Sequence, residues 1–258
     1  MDVAEITALL RPQLARALIA VDFDGTLAPI IGDPEQSRPL PGVIDALIAL
    51  TDRGARVAVI TGRPAESAVR LGGLDAVPGI VVAGLYGAQT WVGGTLTSPE
   101  PPPEVAALRE RLPATLEGAD PGLWIEDKGL SLVVHARKAR DPQTALDGVR
   151  TRVAALADEL GFEVHAGRGV LELALPGSDK GAALQRLVDE LNPVAVLFAG
   201  DDLGDLPAFA QIRSLRASGR SAWAVGADSV EVTELAEAVD LVVDGPRGVL
   251  ALLRSLGD

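Results

Sequence analysis

Cysteine is absent from this 258-residue chain, histidine occurs only twice and lysine three times. Without thiols there is no disulfide framework, no thiolate zinc or iron–sulfur site and no Cys nucleophile. With His135 and His165 as the whole histidine complement, a multi-histidine metal cluster is argued against as well. Positive charge is also scarce: 23 Lys and Arg stand against 36 Asp and Glu, for a net charge of −13. That excess repels nucleic-acid phosphates and anionic membrane surfaces unless one face is locally basic. It also raises a question: if the ligand is an anion, what holds it? Long apolar runs are missing too. The stretches 17–21, 57–60 and 194–199 fall far short of the ~20 residues a membrane span needs. Glu5, Arg11, Pro12 and Arg16 precede an apolar segment that runs straight into Asp22, so no signal peptide is read there. These absences lead us to expect a cytoplasmic monomer with neither nucleic acid nor membrane as partner.

What the chain does have is 48% hydrophobic residues, in a length that suits one large domain or two small ones at ~100–200 residues each. Over residues 1–95, short β-rich runs (17–23, 56–61, 80–84) alternate with segments of helical period (41–53, 64–72), both of which open on Pro. The rhythm returns after residue 178, with strands expected at 194–200, 221–225 and 240–243 and helices at 179–191, 205–212, 229–238 and 247–256. Strands separated by helices of this length predict an α/β fold, a doubly wound, Rossmann-like parallel sheet. The middle differs. A Pro-rich linker at 98–103 leads to a helix, then to strands at 123–127 and 130–137 with Lys128-Gly129 between them. A second helix (142–160) leads to strands at 162–166 and 170–175 joined by Gly167-Arg168-Gly169. Helix–hairpin–helix–hairpin is α+β, so residues 98–176 are expected to form a module inserted into a core made of 1–97 and 177–258.

Four segments could carry chemistry. Val21-Asp22-Phe23-Asp24-Gly25-Thr26 ends an apolar strand in two carboxylates one residue apart. At the carboxyl end of a parallel strand, that spacing can aim one carboxylate at phosphorus as nucleophile and the other at the leaving or attacking oxygen as general acid/base. A helix cap or Asx turn is the plainer alternative. Val57-Ala58-Val59-Ile60-Thr61-Gly62-Arg63 places a hydroxyl and a following N–H at a second strand end, suited to a phosphate oxygen or simply to an N-cap before Pro64. Ser178-Asp179-Lys180-Gly181 opens a helix with a Lys, unfavourable for the dipole unless an anion is near; otherwise it is a solvated surface Lys. Gly200-Asp201-Asp202-Leu203-Gly204-Asp205 ends another buried strand in three carboxylates. Such a cluster calls for a hard divalent cation, with Mg²⁺ fitting a phosphate site, or else is a plain capped turn.

In these four motifs, in this order, the sequence resembles the haloacid dehalogenase superfamily of aspartyl-phosphate hydrolases. The resemblance implies that Asp22 attacks phosphorus, that Asp24 protonates the leaving alkoxide and then activates water, and that Thr61 and Lys180 hold the phosphoryl group. It implies Mg²⁺ bound by Asp22, the Asp24 main-chain carbonyl and Asp201, with Asp202 or Asp205 in outer roles. A phosphatase or a phosphomutase is indicated.

The inserted module should select the ester. Trp124-Ile125-Glu126-Asp127-Lys128-Gly129-Leu130-Ser131 gathers charge at a hairpin tip, and Glu172 interrupts an apolar strand. Carboxylates and a Lys on one pocket suit sugar hydroxyls, which donate and accept; a half-exposed polar sheet face would also carry Glu172. Together with Asp22 to Pro29 and Gly84-Leu85-Tyr86-Gly87, these segments look like trehalose-6-phosphate phosphatases, which carry a mixed α/β cap. By that resemblance Glu126, Lys128 and Glu172 contact the sugar that lacks the phosphate, while Thr61, Gly62, Arg63 and Lys180 lie around the phosphate end. The cap is expected to close over the core. The acidic loop departs from the subgroup's Gly-Asp-Asp-x-Thr-Asp-Glu, having Gly204 and Leu206 for Thr and Glu. Asp201 survives that change and the outer shell does not. A phosphatase of another disaccharide or pseudo-disaccharide phosphate, a phosphomutase and an inactive sugar-phosphate sensor therefore stand as alternatives.

Overall fold

The computed structural model describes residues 1–167, 169–228 and 233–258. In chain order the elements are α1 (Val3–Leu10), β1 (Ala17–Val21), α2 (Val43–Asp52), β2 (Arg56–Ile60), α3 (Ala65–Gly72), β3 (Val81–Gly84), β4 (Gln89–Val92) and β5 (Thr95–Thr97). Then come α4 (Pro103–Thr115), β6 (Trp124–Asp127), β7 (Leu132–His135), α5 (Pro142–Leu160), β8 (Glu163–Gly167) and β9 (Val170–Ala174). The chain ends with α6 (Lys180–Leu191), β10 (Ala195–Gly200), α7 (Leu206–Ala217), β11 (Ser221–Ala227), α8 (Thr233–Ala238), β12 (Leu241–Val243) and α9 (Gly245–Gly257). Contacts divide it into two compact units, Met1–Ser98 with Asp179–Asp258, and Pro99–Ser178.

The first unit is an eight-stranded sheet in the order β12-β11-β10-β1-β2-β3-β4-β5. Strand alternation decides its layers. In β1, Ala17, Ile19 and Val21 face a cluster that includes Ile6 of α1, Leu47 of α2, Leu71 of α3 and Leu253 of α9. Leu18 and Ala20 face the opposite cluster, with Leu184 of α6 and Phe209 of α7. All five β1 residues are buried, as expected for a central parallel strand covered on both faces. Each large side chain so buried contributes about 1.5–3 kcal/mol. Phe198 of β10 meets Phe209 edge-on, with ring centroids 5.5 Å apart.

Six strands run parallel, but β3–β4 and β4–β5 are antiparallel. The sheet is therefore mixed, and the β4–β5 hairpin, turning at Gly93-Gly94, was not expected from the strand–helix rhythm. α1, with Asp2 and Glu5 closing a capping box, was also unforeseen. Most other expected ends shift by a residue or two, but α7 runs five residues past its expected end at 212, to Ala217; β1 stops at Val21 because Phe23 already turns the chain, its carbonyl accepting from both Leu27 N–H and Ala28 N–H.

The second unit is an antiparallel sheet, β6-β7-β9-β8, with α4 and α5 on one face. Leu132, Val134, Leu171 and Leu173 point to the helices. The first hairpin turn spans 128–131 rather than two residues, closed by Lys128 N–H to the Ser131 carbonyl at 3.0 Å. In the second turn, Arg168 lies outside the described residues, as do residues 229–232 of the helix expected at 229–238. Among the described residues no helix is long and apolar enough to cross a membrane.

Candidate active site

Three neighbouring strands end at one place. β10, β1 and β2 pair in parallel, so Asp22, Thr61 and Asp201, each the first residue past its strand, emerge side by side. Crossovers leave β1 for β2 and β3 on one side and return through β10, β11 and β12 on the other. That switch point is where open parallel sheets bind ligands. The backbone under the site is held by the sheet, with Asp22 N–H donating to the Ala199 carbonyl at 2.8 Å and Thr61 N–H to the Ala83 carbonyl at 3.0 Å.

Lys180 enters from the first turn of α6, whose N-cap Asp179 accepts from Ala182 N–H. Its ammonium is buried and pairs with Asp22 Oδ1 at 2.9 Å and Asp205 Oδ1 at 2.7 Å. The carboxylates thus offset the unfavourable helix-start position. Asp205 Oδ2 accepts from the N–H groups of Asp201 and Asp202 at 2.9 and 3.1 Å, which folds the acidic loop back on β10. Space there is tight. Gly25 has φ of +78°, and a Cβ on it would run into the Asp201 carboxylate; a Cβ on Gly200 would meet that of Asp205.

Asp22, Asp201 and Asp205 are all buried, and one oxygen from each lies within 4.8 Å of the others. Three carboxylates against one ammonium leave two negative charges, the charge of one divalent cation. Without a cation the strain appears as proton affinity. Burial raises the Asp22 carboxyl well above the usual carboxylate range, Lys180 opposing and Asp205, Asp201 and Asp202 adding to it. Burial and the neighbouring Asp205 and Asp202 push Asp201 up to about 8. Burial outweighs Lys180 at Asp205, which rises to about 6. Burial alone would lower Lys180, but Asp205 and Asp22 hold it well above its ordinary value, so it stays a cation. This all-oxygen donor set fits a hard cation of the Mg²⁺ type.

The side chains of Asp24 and Asp202 are not among the three. Asp24 Oδ2 accepts from Arg63 Nε at 2.6 Å, and its Oδ1 accepts from Arg63 Nη2 at 2.7 Å and from Ser37 Oγ at 3.2 Å. Arg63, expected beside the ligand, here turns its guanidinium to Asp24. Asp202 Oδ1 is buried with no hydrogen-bond partner among the described residues. Thr61 is buried, and its hydroxyl accepts from Arg63 N–H at 3.1 Å. Gly62 has no room for a Cβ, which would strike the Tyr86 ring. Leu85 and Tyr86 take positive φ of 48° and 56° while their N–H groups donate to the carbonyls of Arg63 and Thr61. Ser37 and Tyr86 had not been singled out as site residues. Both lie in irregular segments, where a side chain's partner leaves no periodic trace.

The second unit carries its own polar face. Residues opposed across an antiparallel sheet share a face, so Glu126, Val133, Glu172 and His165 form one row and Trp124, His135 and Val170 the next, all away from α4 and α5. Glu172 is buried, which removes the half-exposed reading. Its Oε2 accepts from Lys128 Nζ at 3.1 Å and its Oε1 from Ser131 Oγ at 2.7 Å. Glu126 Oε2 lies 2.7 Å from His135 Nε2. Glu126, Lys128 and Glu172 are therefore gathered on this face, with Ser131 and His135 as partners that sequence reasoning had not marked.

Comparison with known proteins follows the same lines. The family model described as trehalose-phosphatase matches residues 20–241. The trehalose-phosphate phosphatase of Mycobacterium marinum is 32% identical over 218 residues, covering 79% of this chain and 54% of that protein. The Mycobacterium avium protein of the same name is 33% identical over 210 residues, covering 74% and 50%. The chain thus spans about half the length of the curated relatives it matches. Among solved structures, the C-terminal domain of Candida albicans trehalose-6-phosphate phosphatase superposes with a TM-score of 0.73 at 23% identity, covering 97% of this chain and 96% of that one. A haloacid dehalogenase-like hydrolase from Bacteroides thetaiotaomicron gives 0.60 at 17% identity, covering 92% and 98%. Those structural likenesses establish the fold.

Proposed function

The chain belongs to the trehalose-phosphatase family, and from that premise we propose that it hydrolyses trehalose 6-phosphate to trehalose and inorganic phosphate. The single observation that carries the chemistry is the strand-end set in which Asp22, paired to Lys180 at 2.9 Å, shares a buried cluster with Asp201 and Asp205. Asp22 attacks phosphorus; the bond to the sugar oxygen breaks, and a proton from Asp24 goes to that oxygen. Asp24 then takes a proton from water, the water oxygen attacks the aspartyl phosphate, and phosphate leaves with Asp22 restored. Lys180 and Thr61 hold the phosphoryl oxygens throughout, because phosphoryl transfer depends mainly on positioning and charge neutralisation. Asp22, Asp201 and Asp205 would hold Mg²⁺, with the Asp24 main-chain carbonyl as a further ligand and Asp202 outside it. When bound, the ion neutralises carboxylate and phosphate charge at the reacting centre.

Glu126, Lys128 and Glu172 bind the sugar ring that lacks phosphate, a role supported by their convergence on one polar sheet face. The protein acts on a small-molecule ester, with no nucleic acid or membrane partner, as a cytoplasmic monomer. A phosphate-release panel tests the reading. Trehalose 6-phosphate should turn over in Mg²⁺ far faster than glucose 6-phosphate or sucrose 6-phosphate, and equal rates on the three would overturn the substrate assignment. Full turnover by Asp22→Asn would overturn the mechanism.

A further inference from the structure

His135 carries a role that neither the motifs nor the proposed reaction assigns. It closes β7, diagonal to Glu126 on β6, and its side chain is only 8% exposed. The ring is held on two sides. Trp124, directly opposite in the register, stacks on it with centroids 4.0 Å apart and planes 6° from parallel. Its Nε2 lies 2.7 Å from Glu126 Oε2. An ionised carboxylate only accepts, so Nε2 carries the hydrogen and donates. The other ring nitrogen, Nδ1, is buried and has no hydrogen-bond partner among the described residues. Leaving a polar atom so placed costs about 1–3 kcal/mol. A position needed only for packing on Trp124 would be served better by phenylalanine, which stacks as well and buries no polar atom. What histidine alone adds is the Nε2–H directed at Glu126.

We propose that His135, braced by Trp124, is a positioning residue that fixes the Glu126 carboxylate for the sugar and so sets selectivity for the disaccharide ester over simple phosphate esters. The inference rests on the reading that Glu126 contacts the sugar. Glu126 is on an edge strand, with its side chain 39% exposed, so its carboxylate is placed by polar partners more than by apolar packing, and His135 Nε2 is one of those partners. A binding group left to wander loses affinity through the entropy of ordering it at each encounter. A charge-assisted hydrogen bond from a stacked, immobile ring removes that loss in advance. Glu172 is treated alike, its two oxygens taken by Lys128 and Ser131, so both carboxylates of the face are held in place.

The test compares kcat and KM for trehalose 6-phosphate and for p-nitrophenyl phosphate in the unaltered protein, His135→Phe, His135→Gln, Glu126→Gln and the double variant Glu126→Gln/His135→Phe. His135→Phe should raise KM for trehalose 6-phosphate about tenfold, the equivalent of ~1.4 kcal/mol. Its kcat for that ester should move less than about twofold, and the ratio of kcat/KM between the two substrates should fall in proportion. His135→Gln, whose amide nitrogen reaches about as far as Nε2, should recover most of the loss. Because His135 acts through Glu126, the double variant should be no worse than Glu126→Gln alone. Additive losses, a substrate ratio unchanged by His135→Phe, or failure of His135→Gln to recover would each overturn the positioning role while the sugar-contact reading stands. A Glu126→Gln variant with unaltered KM for trehalose 6-phosphate overturns the sugar-contact reading itself, and this inference with it. Thermal unfolding of each variant separates a loss of fold from a loss of affinity.

Discussion

Arg63 closes its guanidinium on both oxygens of Asp24, Nε to Oδ2 at 2.6 Å and Nη2 to Oδ1 at 2.7 Å. Arg63 leaves the chain just after β2 and Asp24 just after β1, so two adjacent strand ends are tied by their side chains. A two-point contact fixes the plane of the carboxylate as well as its place, which a lysine cannot do. Ser37 Oγ adds a third donor from the loop that follows.

Arg63→Lys should therefore retain charge and lose aim. In the proposed reaction Asp24 must meet the leaving oxygen at hydrogen-bond distance, and misplacement by a fraction of an ångström is felt in the chemical step. We expect kcat to fall about tenfold, since ~1.4 kcal/mol is one decade in rate, with a smaller change in KM. Steady-state kinetics on trehalose 6-phosphate check it, and a change confined to KM would instead make Arg63 a ligand contact.

Metal removal should change how stability depends on pH. Asp201 rises to about 8 and Asp205 to about 6 without a cation, both by burial first. In the unfolded chain these groups titrate near ~4. Between those values the folded state binds more protons than the unfolded one, so stability falls as pH rises, from about 4 to about 6 for Asp205 and on to about 8 for Asp201. The chelated protein should melt at a lower temperature at pH 8 than at pH 5.5, and Mg²⁺ should raise the midpoint more at pH 8. Asp201→Asn should flatten the profile of the chelated protein and shrink the Mg²⁺ response. Melting curves in EDTA and in excess Mg²⁺ would show both, and a stability that rises with pH in EDTA would contradict the clustering of charge.

Much of this site was legible because its determinants are local. A buried strand announces its own end, and Asp22, Thr61 and Asp201 are each the first polar residue after an apolar run. Parallel pairing of those runs then brings the ends together. What was not legible depends on partners far along the chain. Ser37 sits between Gln36 and Arg38 with no pattern to show that it reaches Asp24, thirteen residues away. Ser131 and His135 are one polar residue each in an apolar stretch, and their meaning comes from register with β6 and β9. The β4–β5 hairpin escaped because strands of four and three residues around Gly93-Gly94 are too short to set up a period.

Removing the Ser131 hydroxyl should loosen the buried Glu172. Ser131 Oγ donates to Glu172 Oε1 at 2.7 Å, and Glu172 is 3% exposed. Ser131→Ala removes one donor from a buried carboxyl group where water is scarce, at a cost of about 1–3 kcal/mol. Chemical denaturation should show that loss, and KM for trehalose 6-phosphate should rise several-fold. A parallel Glu172→Gln variant, which relieves the charge, should lose less stability than Ser131→Ala while binding substrate more weakly.

The loop that presents Lys128 offers a case in which stability and function separate. Arg109 of α4 reaches over it, donating from Nε to Asp127 Oδ2 at 2.6 Å and from Nη2 to the Gly129 carbonyl at 2.8 Å, while Gly129 N–H donates back to Asp127 Oδ1 at 2.8 Å. The pairing with Arg109 holds the Asp127 carboxyl below its ordinary value. The pair is 38% and 45% exposed, and exposed ion pairs contribute only about 0–1 kcal/mol to folding. Arg109→Ala should therefore shift the melting temperature little. Yet it removes both Arg109 contacts from residues 127–129 and leaves Lys128 to its contacts with Ser131 and Glu172, so more of its ordering falls to the binding event. KM for trehalose 6-phosphate should rise several-fold with kcat nearly constant, and amide exchange at Lys128 and Gly129 should quicken. Salt should weaken the unaltered protein's substrate affinity in the same direction, because screening loosens the Arg109–Asp127 contact, and should have a smaller effect on Arg109→Ala. Equal salt sensitivity in the two proteins would mean that the loop is held by its backbone turn alone.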